Sequence, residues 1–299
     1  MTQLRLVFLV SVAMLAFAGN SVLCRLALKH TTIDAASFTS LRLLSGACAL
    51  WLLVLWQRRV DEQMAPKALA PDAGSPPAIA GSWLSALALF VYAAGFSFAY
   101  VSMSAATGAL LLFGAVQVTM VGHGLYRGER LQALQKLGFL LALSGLVALM
   151  LPGLATPGLL ASLAMLMAGA AWGIYSLRGK ALQKPGAPSP TAVTAGNFIR
   201  AVPITLLLSL LMMGRATFDA NGVLLALASG ALASGVGYAI WYRVLPALAS
   251  TQAATVQLSV PVIAALGGVA LIGEALTLPM VASSAAVLGG IALVILNKK

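Results

Sequence analysis

Amide side chains recur inside long apolar stretches of this 299-residue chain, and they are the first groups that could do chemistry. They are Asn20, Gln117, Asn197 and Gln257. In a membrane such groups are costly and usually face a cavity or a partner helix. They could hydrogen-bond a zwitterionic small molecule. Alternatively, each forms a bond between helices worth roughly 0.6 kcal/mol.

Aromatic side chains accompany the amides. Tyr92, Phe96 and Tyr100 follow one another at intervals of four, which places them on one face of a helix. Such a face could stack against an apolar or aromatic substrate, or it could serve packing or an interfacial belt. We interpret Tyr100, Trp241 and Tyr242, near the ends of their apolar runs, as belt or packing residues. The predicted substrate-binding residues are Asn20, Tyr92, Phe96, Gln117, Trp172, Tyr175, Asn197, Tyr238 and Gln257.

Groups for catalysis or metal binding are scarce. Only 8% of the residues are charged, the two histidines lie far apart, and Cys24 and Cys48 have no metal-site spacing. No acidic residue stands in the middle of an apolar run. We therefore predict no catalytic residue, no metal and no cofactor, and we expect neutral groups to select the substrate.

The charged groups closest to the apolar runs have structural and functional interpretations. Arg42 and Arg200 lie inside runs, where either could hold a carboxylate. Alternatively they snorkel to opposite membrane faces or bond a helix end, and their matching positions favour this structural role. Glu129 and Glu274 are predicted to partner the N-termini of the runs that follow them.

The elements that must position these residues are membrane helices. The chain is 61% hydrophobic with a mean hydropathy of +0.98, and a bilayer span needs ~20 apolar residues. The fold class is therefore all-α integral membrane, with ten transmembrane helices. The ten predicted spans are Leu4–Leu26, Ala35–Trp56, Trp83–Tyr100, Ala105–Tyr126, Leu134–Leu151, Gly158–Leu177, Thr191–Met213, Val223–Trp241, Ala247–Ile272 and Thr277–Leu296.

The distribution of positive charge predicts the orientation. Of the 18 Lys and Arg, thirteen fall on the side of the N-terminus and three on the opposite side. By the positive-inside rule both termini are cytoplasmic, in a multi-pass protein of the inner (plasma) membrane. The net charge of +11 then needs no nucleic-acid partner.

The two halves of the chain correspond. Gly128-Glu129 is followed by Gly138 and Gly145, and Gly273-Glu274 is followed at the same spacing by Ser283 and Gly290. We therefore divide the chain into repeats 1–151 and 152–299. With five helices each, an odd number, the second repeat must be inverted relative to the first, as in many secondary transporters. Possible hinges are Gly114, Gly122, Pro203 and Pro261, for which close helix packing is the alternative role.

These residues carry a family resemblance over nearly the whole chain. The chain resembles the drug/metabolite transporter superfamily, in the ten-helix form with two EamA-type repeats. The resemblance rests on Trp172-Gly173 with its counterpart Phe17-Ala18-Gly19, on Leu41-Arg42 with Ile199-Arg200, on Glu129 and Glu274, and on Pro261. Two departures are Val116, which matches Pro261, and Ala18, where the pattern has tryptophan.

The resemblance implies a secondary transporter that exports small organic metabolites by alternating access through a cavity between the repeats. Within the superfamily the chain is similar to bacterial amino-acid exporters, and its aromatic residues favour aromatic or large apolar substrates. Alternatives are a multidrug or other metabolite exporter of the same fold and, from another class, an integral membrane lipid-modifying enzyme. The expected partners are a small-molecule substrate and the lipid bilayer. A monomer could enclose the cavity, and a homodimer is also compatible with the sequence.

Overall fold

Helices make up the regular structure of the computed structural model, which describes residues 2–64, 80–128, 132–150, 157–181, 188–248 and 256–296. Within these ranges there are ten main helices and no strand, as the sequence predicts. The helices are α1 Gln3–His30, α2 Ala35–Met64, α3 Trp83–Tyr100, α4 Ala105–Tyr126, α5 Ala133–Met150, α6 Leu159–Ala181, α7 Pro190–Leu211, α8 Ala220–Val244, α9 Ser259–Ile272 and α10 Leu278–Leu296.

Length and composition identify membrane helices. Seven helices, α1–α4 and α6–α8, are long and apolar enough to cross a bilayer, and α5, α9 and α10 contain shorter apolar stretches. Large apolar side chains also point outward, among them Leu52, Leu160 and Leu206, which are each more than half exposed. Such a surface suits a multi-pass protein whose solvent is lipid.

The predicted ninth span, Ala247–Ile272, is described only in part, because residues 249–255 lie outside the described ranges. A short 3₁₀ turn, Leu245–Ala247, follows α8, and α9 begins at Ser259. Pro261 therefore lies in the first turn of α9, where proline removes no intrahelical hydrogen bond. Pro203 lies inside α7, as expected of a residue that could bend a helix.

Contacts between helix ends show that successive helices run in alternating directions. On one side of the bundle, Arg25 near the end of α1 and Ala105 at the start of α4 both contact Glu274, which follows α9. At the opposite end the start of α3 meets the last turns of α6 through Arg178. We call these the Glu274 end and the Arg178 end. Since α1 ends and α10 begins at the Glu274 end, the start of α1 and the end of α10 lie toward the Arg178 end.

The helices pack in a recurring pattern. Helix α3 packs on α6 and α8 on α1; α4 packs on α6 and α9 on α1; α2 packs on α7, and α5 on α10. Small residues allow these close approaches. A Cβ at Gly95 of α3, for example, would lie 2.7 Å from the carbonyl oxygen of Ala164 in α6.

Two glycines at matching places give the repeated Gly-Glu pair a local explanation. Gly128 after α4 and Gly273 after α9 have φ of 87° and 68°, the left-handed region that glycine adopts without strain. The amide of Glu274 donates back to the carbonyl of Gly268, which closes the end of α9. Glycine thus ends the helix and turns Glu274 toward α1 and α4.

Helix α8 changes its winding in the middle. Residues Ser229–Val236 form a π-helical segment between two α-helical segments. A Cβ at Gly230 would collide with the carbonyl oxygen of Arg42 and the hydroxyl of Ser45, both in α2. The π-helical segment and its glycine therefore bring α8 directly against α2, beside Arg42.

Candidate substrate-binding site

Five aromatic rings meet in the middle of the bundle, and we call them the central aromatic cluster. They come from α1, α3, α6 and α8 and are all less than 8% exposed: Phe17, Tyr92, Phe96, Trp172 and Tyr238. The ring of Trp172 lies 5.0 Å from that of Tyr92 and 4.9 Å from that of Tyr238. Tyr92 is ~12–14 Å from either end of α3 at 1.5 Å per residue. The cluster is therefore near mid-membrane depth.

A small cavity lies inside this cluster. Its wall also includes Asn20, Ser21, Leu112 and Phe113. Its volume is about 10 Å³, room for about one water molecule. A metabolite could enter only after the surrounding helices separate, so the structure corresponds to a closed arrangement of the cluster.

The hydroxyl of Tyr92 is the centre of a buried hydrogen-bond network. It accepts from Nη2 of Arg42 at 2.8 Å and from Nδ2 of Asn20 at 3.2 Å, and the hydroxyl of Tyr238 lies 3.4 Å away. The network continues into the π-helical segment of α8. Ser229 donates to Oδ1 of Asn20 at 2.6 Å, and Nε of Arg42 donates to Ser234 at 3.2 Å.

Arg42 does not have the structural role that the sequence favours. It does not snorkel or bond a helix end, because it is 1% exposed and its guanidinium lies 4.8 Å from the ring centre of Phe96 and 5.1 Å from that of Tyr92. The network around Tyr92 therefore includes a charged side chain beside the neutral groups that the sequence predicts. Arg200, its counterpart, does bond backbone, donating to the carbonyls of Ala80 and Gly196.

The structure brings five of the nine predicted binding residues together at the cavity and places four elsewhere. Tyr175 stacks on the far side of Trp172 and accepts from Asn197, whose Oδ1 accepts from the amide of Ser82 at the Arg178 end. Gln117 is buried in α4 and does not line the cavity. Gln257 is half-buried and lies two residues before the start of α9. Phe17, which does line the cavity, was not among the nine.

Of the two roles predicted for the aromatic residues at the ends of the runs, interfacial belt or helix packing, the structure shows packing. Tyr100, Trp241 and Tyr242 are all buried, the most exposed at 6%. Tyr100 packs edge-on against Phe96 at 4.6 Å, and Trp241 against Phe17 at 5.8 Å. These rings pack helices together, which was the alternative role, and so extend the central aromatic cluster.

Comparisons with known proteins identify the family and the fold. Residues 159–296 match the model of the EamA-like transporter family. The chain belongs to this EamA-like transporter family. It is 53% identical over 295 residues to the uncharacterized protein PA1977 of Pseudomonas aeruginosa, covering 99% of this chain and 96% of that protein. A solved crystal structure of another protein matches with a TM-score of 0.64 and 17% identity, over 98% of this chain and 96% of that one. At that identity the likeness concerns the fold.

In this EamA-like protein an ion pair closes the Glu274 end. Nε of Arg25 lies 2.8 Å from Oε1 of Glu274, and both side chains are about one-tenth exposed. Oε2 of Glu274 accepts from the amide of Ala105 at the start of α4, while Arg25 donates to the carbonyls of Tyr100 and Val101 at the end of α3. Glu274 therefore partners the N-terminus of α4. The prediction that it partners the N-terminus of the following helix, α10, is wrong. Glu129 lies outside the described residues.

A second group of contacts at this end joins the α1–α2 connection to the start of α8. Asp34 accepts from the amide of Thr217, and Asp219 accepts from the amide and hydroxyl of Thr32. Partial burial raises the pKa of Asp34, but hydrogen bonds from Ser37, Thr217 and Ala36 outweigh it and hold the value below its ordinary 3.8. The Gly222 amide, aided by Thr32, likewise lowers the pKa of Asp219. Both carboxylates are therefore charged at neutral pH.

The Arg178 end is closed by contacts with the start of α3. Arg178 of α6 donates to the hydroxyls of Ser82 and Ser85 at 3.3 and 3.1 Å. Asn197 and Arg200 of α7 hold the backbone of Ser82 and Ala80. The cluster is thus enclosed from both ends by contacts between the two parts of the chain.

Proposed function

We propose that this protein is a secondary transporter that exports small organic metabolites, and that its substrates are amino acids with aromatic or large apolar side chains. The family supplies the general activity, a membrane transporter. The finer proposal rests on the central aromatic cluster. Its buried rings, with the Asn20 amide and the Tyr92 hydroxyl beside them, offer an apolar surface and polar groups for one substrate.

Alternating access is the mechanism that these contacts support. The cavity is small and enclosed from both ends, so substrate passage requires each end to open in turn. Opening at the Glu274 end would break the Arg25–Glu274 pair, and opening at the Arg178 end would release the start of α3. A recess of about 420 Å³ beside Arg25 and Glu274 would be the entrance at that end.

Two inverted repeats, 1–151 and 152–299, would supply the two equivalent states. The packing pattern supports this division. If each helix of α1–α5 is exchanged with its counterpart in α6–α10, every main helix contact becomes a contact that is also present. The α3–α6 contact becomes α8–α1, for example, and α4–α6 becomes α9–α1. Gly128 and Gly273 share a left-handed conformation at matching places, and the family match at 159–296 falls inside the second repeat.

The proposed orientation places the Arg178 end in the cytoplasm. The start of α1 and the end of α10 lie toward that end, and thirteen of the 18 Lys and Arg would then be cytoplasmic. The protein would span the inner membrane ten times. A monomer is sufficient for this mechanism, because one chain encloses the cavity.

Of the proposed hinges, the glycines differ in surroundings. A Cβ at Gly114 would lie 2.6 Å from the side chain of Leu146 in α5, whereas one at Gly122 would meet nothing within 4 Å. Gly114 therefore serves close packing of α4 on α5. Gly122 and Pro203 are the positions at which bending would cost fewer contacts.

The direct experiment measures uptake and efflux of labelled amino acids in proteoliposomes, with and without a pH gradient. We expect transport of aromatic and large apolar amino acids, and independence from the gradient would identify facilitated diffusion. Strong dependence would identify proton coupling. Failure to transport any amino acid, while other metabolites pass, would refute the substrate proposal and leave the transporter proposal in place.

A further inference from the structure

The centre of the protein carries a positive charge that no carboxylate in the described ranges neutralises. Arg42 is 1% exposed, and a guanidinium stays protonated in proteins. Three described carboxylates, those of Asp34, Asp219 and Glu274, form their hydrogen bonds and ion pair at the Glu274 end and not with Arg42. Two aromatic faces, those of Tyr92 and Phe96, compensate part of the charge.

One nitrogen of this guanidinium also lacks a partner. Nε and Nη2 donate to Ser234 and Tyr92, whereas Nη1 is buried and has no hydrogen-bond partner among the described residues. Leaving a buried charged donor unsatisfied is costly. In the closed arrangement the Arg42 guanidinium is therefore incompletely hydrogen-bonded.

The same reasoning applies to the hydroxyl of Tyr92, which lines the cavity. A phenol oxygen has two lone pairs and one proton. Arg42 and Asn20 donate to this oxygen, so both lone pairs are occupied and the proton must be donated elsewhere. Tyr238 at 3.4 Å is distant for a bond between hydroxyl groups. Tyr92 is thus a donor polarised by Arg42 and available to an acceptor inside the cavity.

We infer that the site binds its substrate through a carboxylate, with Tyr92 donating to the carboxylate and Arg42 behind it providing the neutralising charge. This inference rests on the proposed function and names the substrate class: organic carboxylates with an apolar or aromatic body, whether or not they carry an amino group. The aromatic rings of Phe17, Trp172 and Tyr238 would surround that body.

Three probes that share a phenyl group and two linking carbons differ only in their charged groups. The probe 3-phenylpropionate is an anion, phenylalanine is a zwitterion and phenethylamine is a cation. Binding to the full chain in detergent is followed by tryptophan fluorescence, since Trp172 belongs to the cluster. We expect phenylpropionate and phenylalanine to bind at least ~10-fold more tightly than phenethylamine, the effect of one charged hydrogen bond.

Variants assign this preference to Arg42. Arg42→Gln should weaken phenylpropionate binding on the order of 10- to 100-fold without weakening the binding of phenethylamine. Arg42→Lys should bind phenylpropionate more tightly than Arg42→Gln does. The matched control is Arg200→Gln, because Arg200 is the counterpart of Arg42 in α7 and does not line the cavity, so its loss should leave the preference intact. If Arg42→Gln does not fold, Tyr92→Phe keeps the ring, removes the donor and should weaken only the two carboxylates.

Equal binding of the amine and the acid, no binding of any probe, or an unchanged preference in both Arg42→Gln and Tyr92→Phe would overturn the inference. Flux of the same probes in proteoliposomes distinguishes this failure from failure of the proposed function. Carboxylate binding without flux would support the inference and contradict a transporter of these compounds. Flux of the amine alone would support a transporter and refute the carboxylate site.

Discussion

Replacing Glu274 by glutamine should release the Glu274 end while leaving its shape almost unchanged. The carboxylate accepts from Nε of Arg25 and from the amide of Ala105, each at 2.8 Å. Glutamine keeps one acceptor oxygen and turns an NH₂ group toward a second donor. Because Arg25 belongs to α1 and Ala105 to α4, both contacts to the end of α9 weaken together.

The magnitude follows from burial. Breaking a fully buried pair costs ~3–5 kcal/mol, and a charged hydrogen bond contributes ~1.5–3 kcal/mol. Here the two side chains are 12% and 9% exposed, and glutamine retains one bond, so we expect a loss of about 2 kcal/mol. If that loss falls on the closed arrangement alone, the population open at this end rises roughly 30-fold.

Cys24 is a natural reporter for this opening. It precedes Arg25 in α1 and is 0% exposed, while Cys48, the other cysteine, is exposed and can be replaced by serine. In detergent, where sidedness does not matter, a maleimide should label Cys24 about 30-fold faster in Glu274→Gln than in its parent. Arg215→Gln is the matched control, since it removes an exposed charge at the same end. Equal labelling rates in Glu274→Gln and its parent would refute the closing role of the ion pair.

Three further predictions concern the cluster, the π-helical segment and pH. Trp172→Ala and Tyr92→Ala should reduce transport of bulky apolar substrates more than they reduce the amount of protein in the membrane; normal transport by both would contradict the cavity assignment. Gly230→Ala should destabilise the protein by ~1–3 kcal/mol because its Cβ meets backbone of α2, whereas Gly122→Ala, with open space around it, should not lower the melting temperature. The carboxylate of Asp34 has a lowered pKa, so its stabilisation is present at neutral pH and lost as pH falls below about 3.8. Asp34→Asn should therefore lower the melting temperature at pH 7, and the difference should shrink below pH ~4; a constant difference would show that the charge is not involved.

Hydropathy predicts most of this fold because the bilayer imposes a length on each helix. The first four predicted spans agree with the structure to within a few residues, except that α2 continues from Trp56 to Met64. The left-handed Gly128 and Gly273 could be anticipated, since glycine before a polar residue at the end of an apolar run is a common helix stop.

The candidate site was predicted less completely, because spacing along a helix identifies a face but not its neighbour. Tyr92 and Phe96 were recognised by their periodicity. That they line one cavity with Phe17 depends on how α1 crosses α3 and α8, which no local pattern shows. The signal for the π-helical segment was present in Ser229-Gly230 and Ser234-Gly235. These small residues mark a close approach, but they do not reveal that α2 and Arg42 are the partner.

The role of Arg42 could not be predicted from its charge and its position along the helix. An arginine about 10 Å inside a helix can reach the membrane surface by snorkelling, and repeat symmetry with Arg200 favoured one shared role. The structure separates the two residues because their neighbours differ: Arg200 finds backbone carbonyls at the Arg178 end, while Arg42 finds Tyr92 and Ser234. In the proposed transporter, matching positions of the two repeats would thus differ in role, with Arg200 holding the start of α3 and Arg42 charging the binding site. Such asymmetry is expected wherever two equivalent halves enclose one substrate that is itself asymmetric, with a carboxylate at one end and an apolar body at the other.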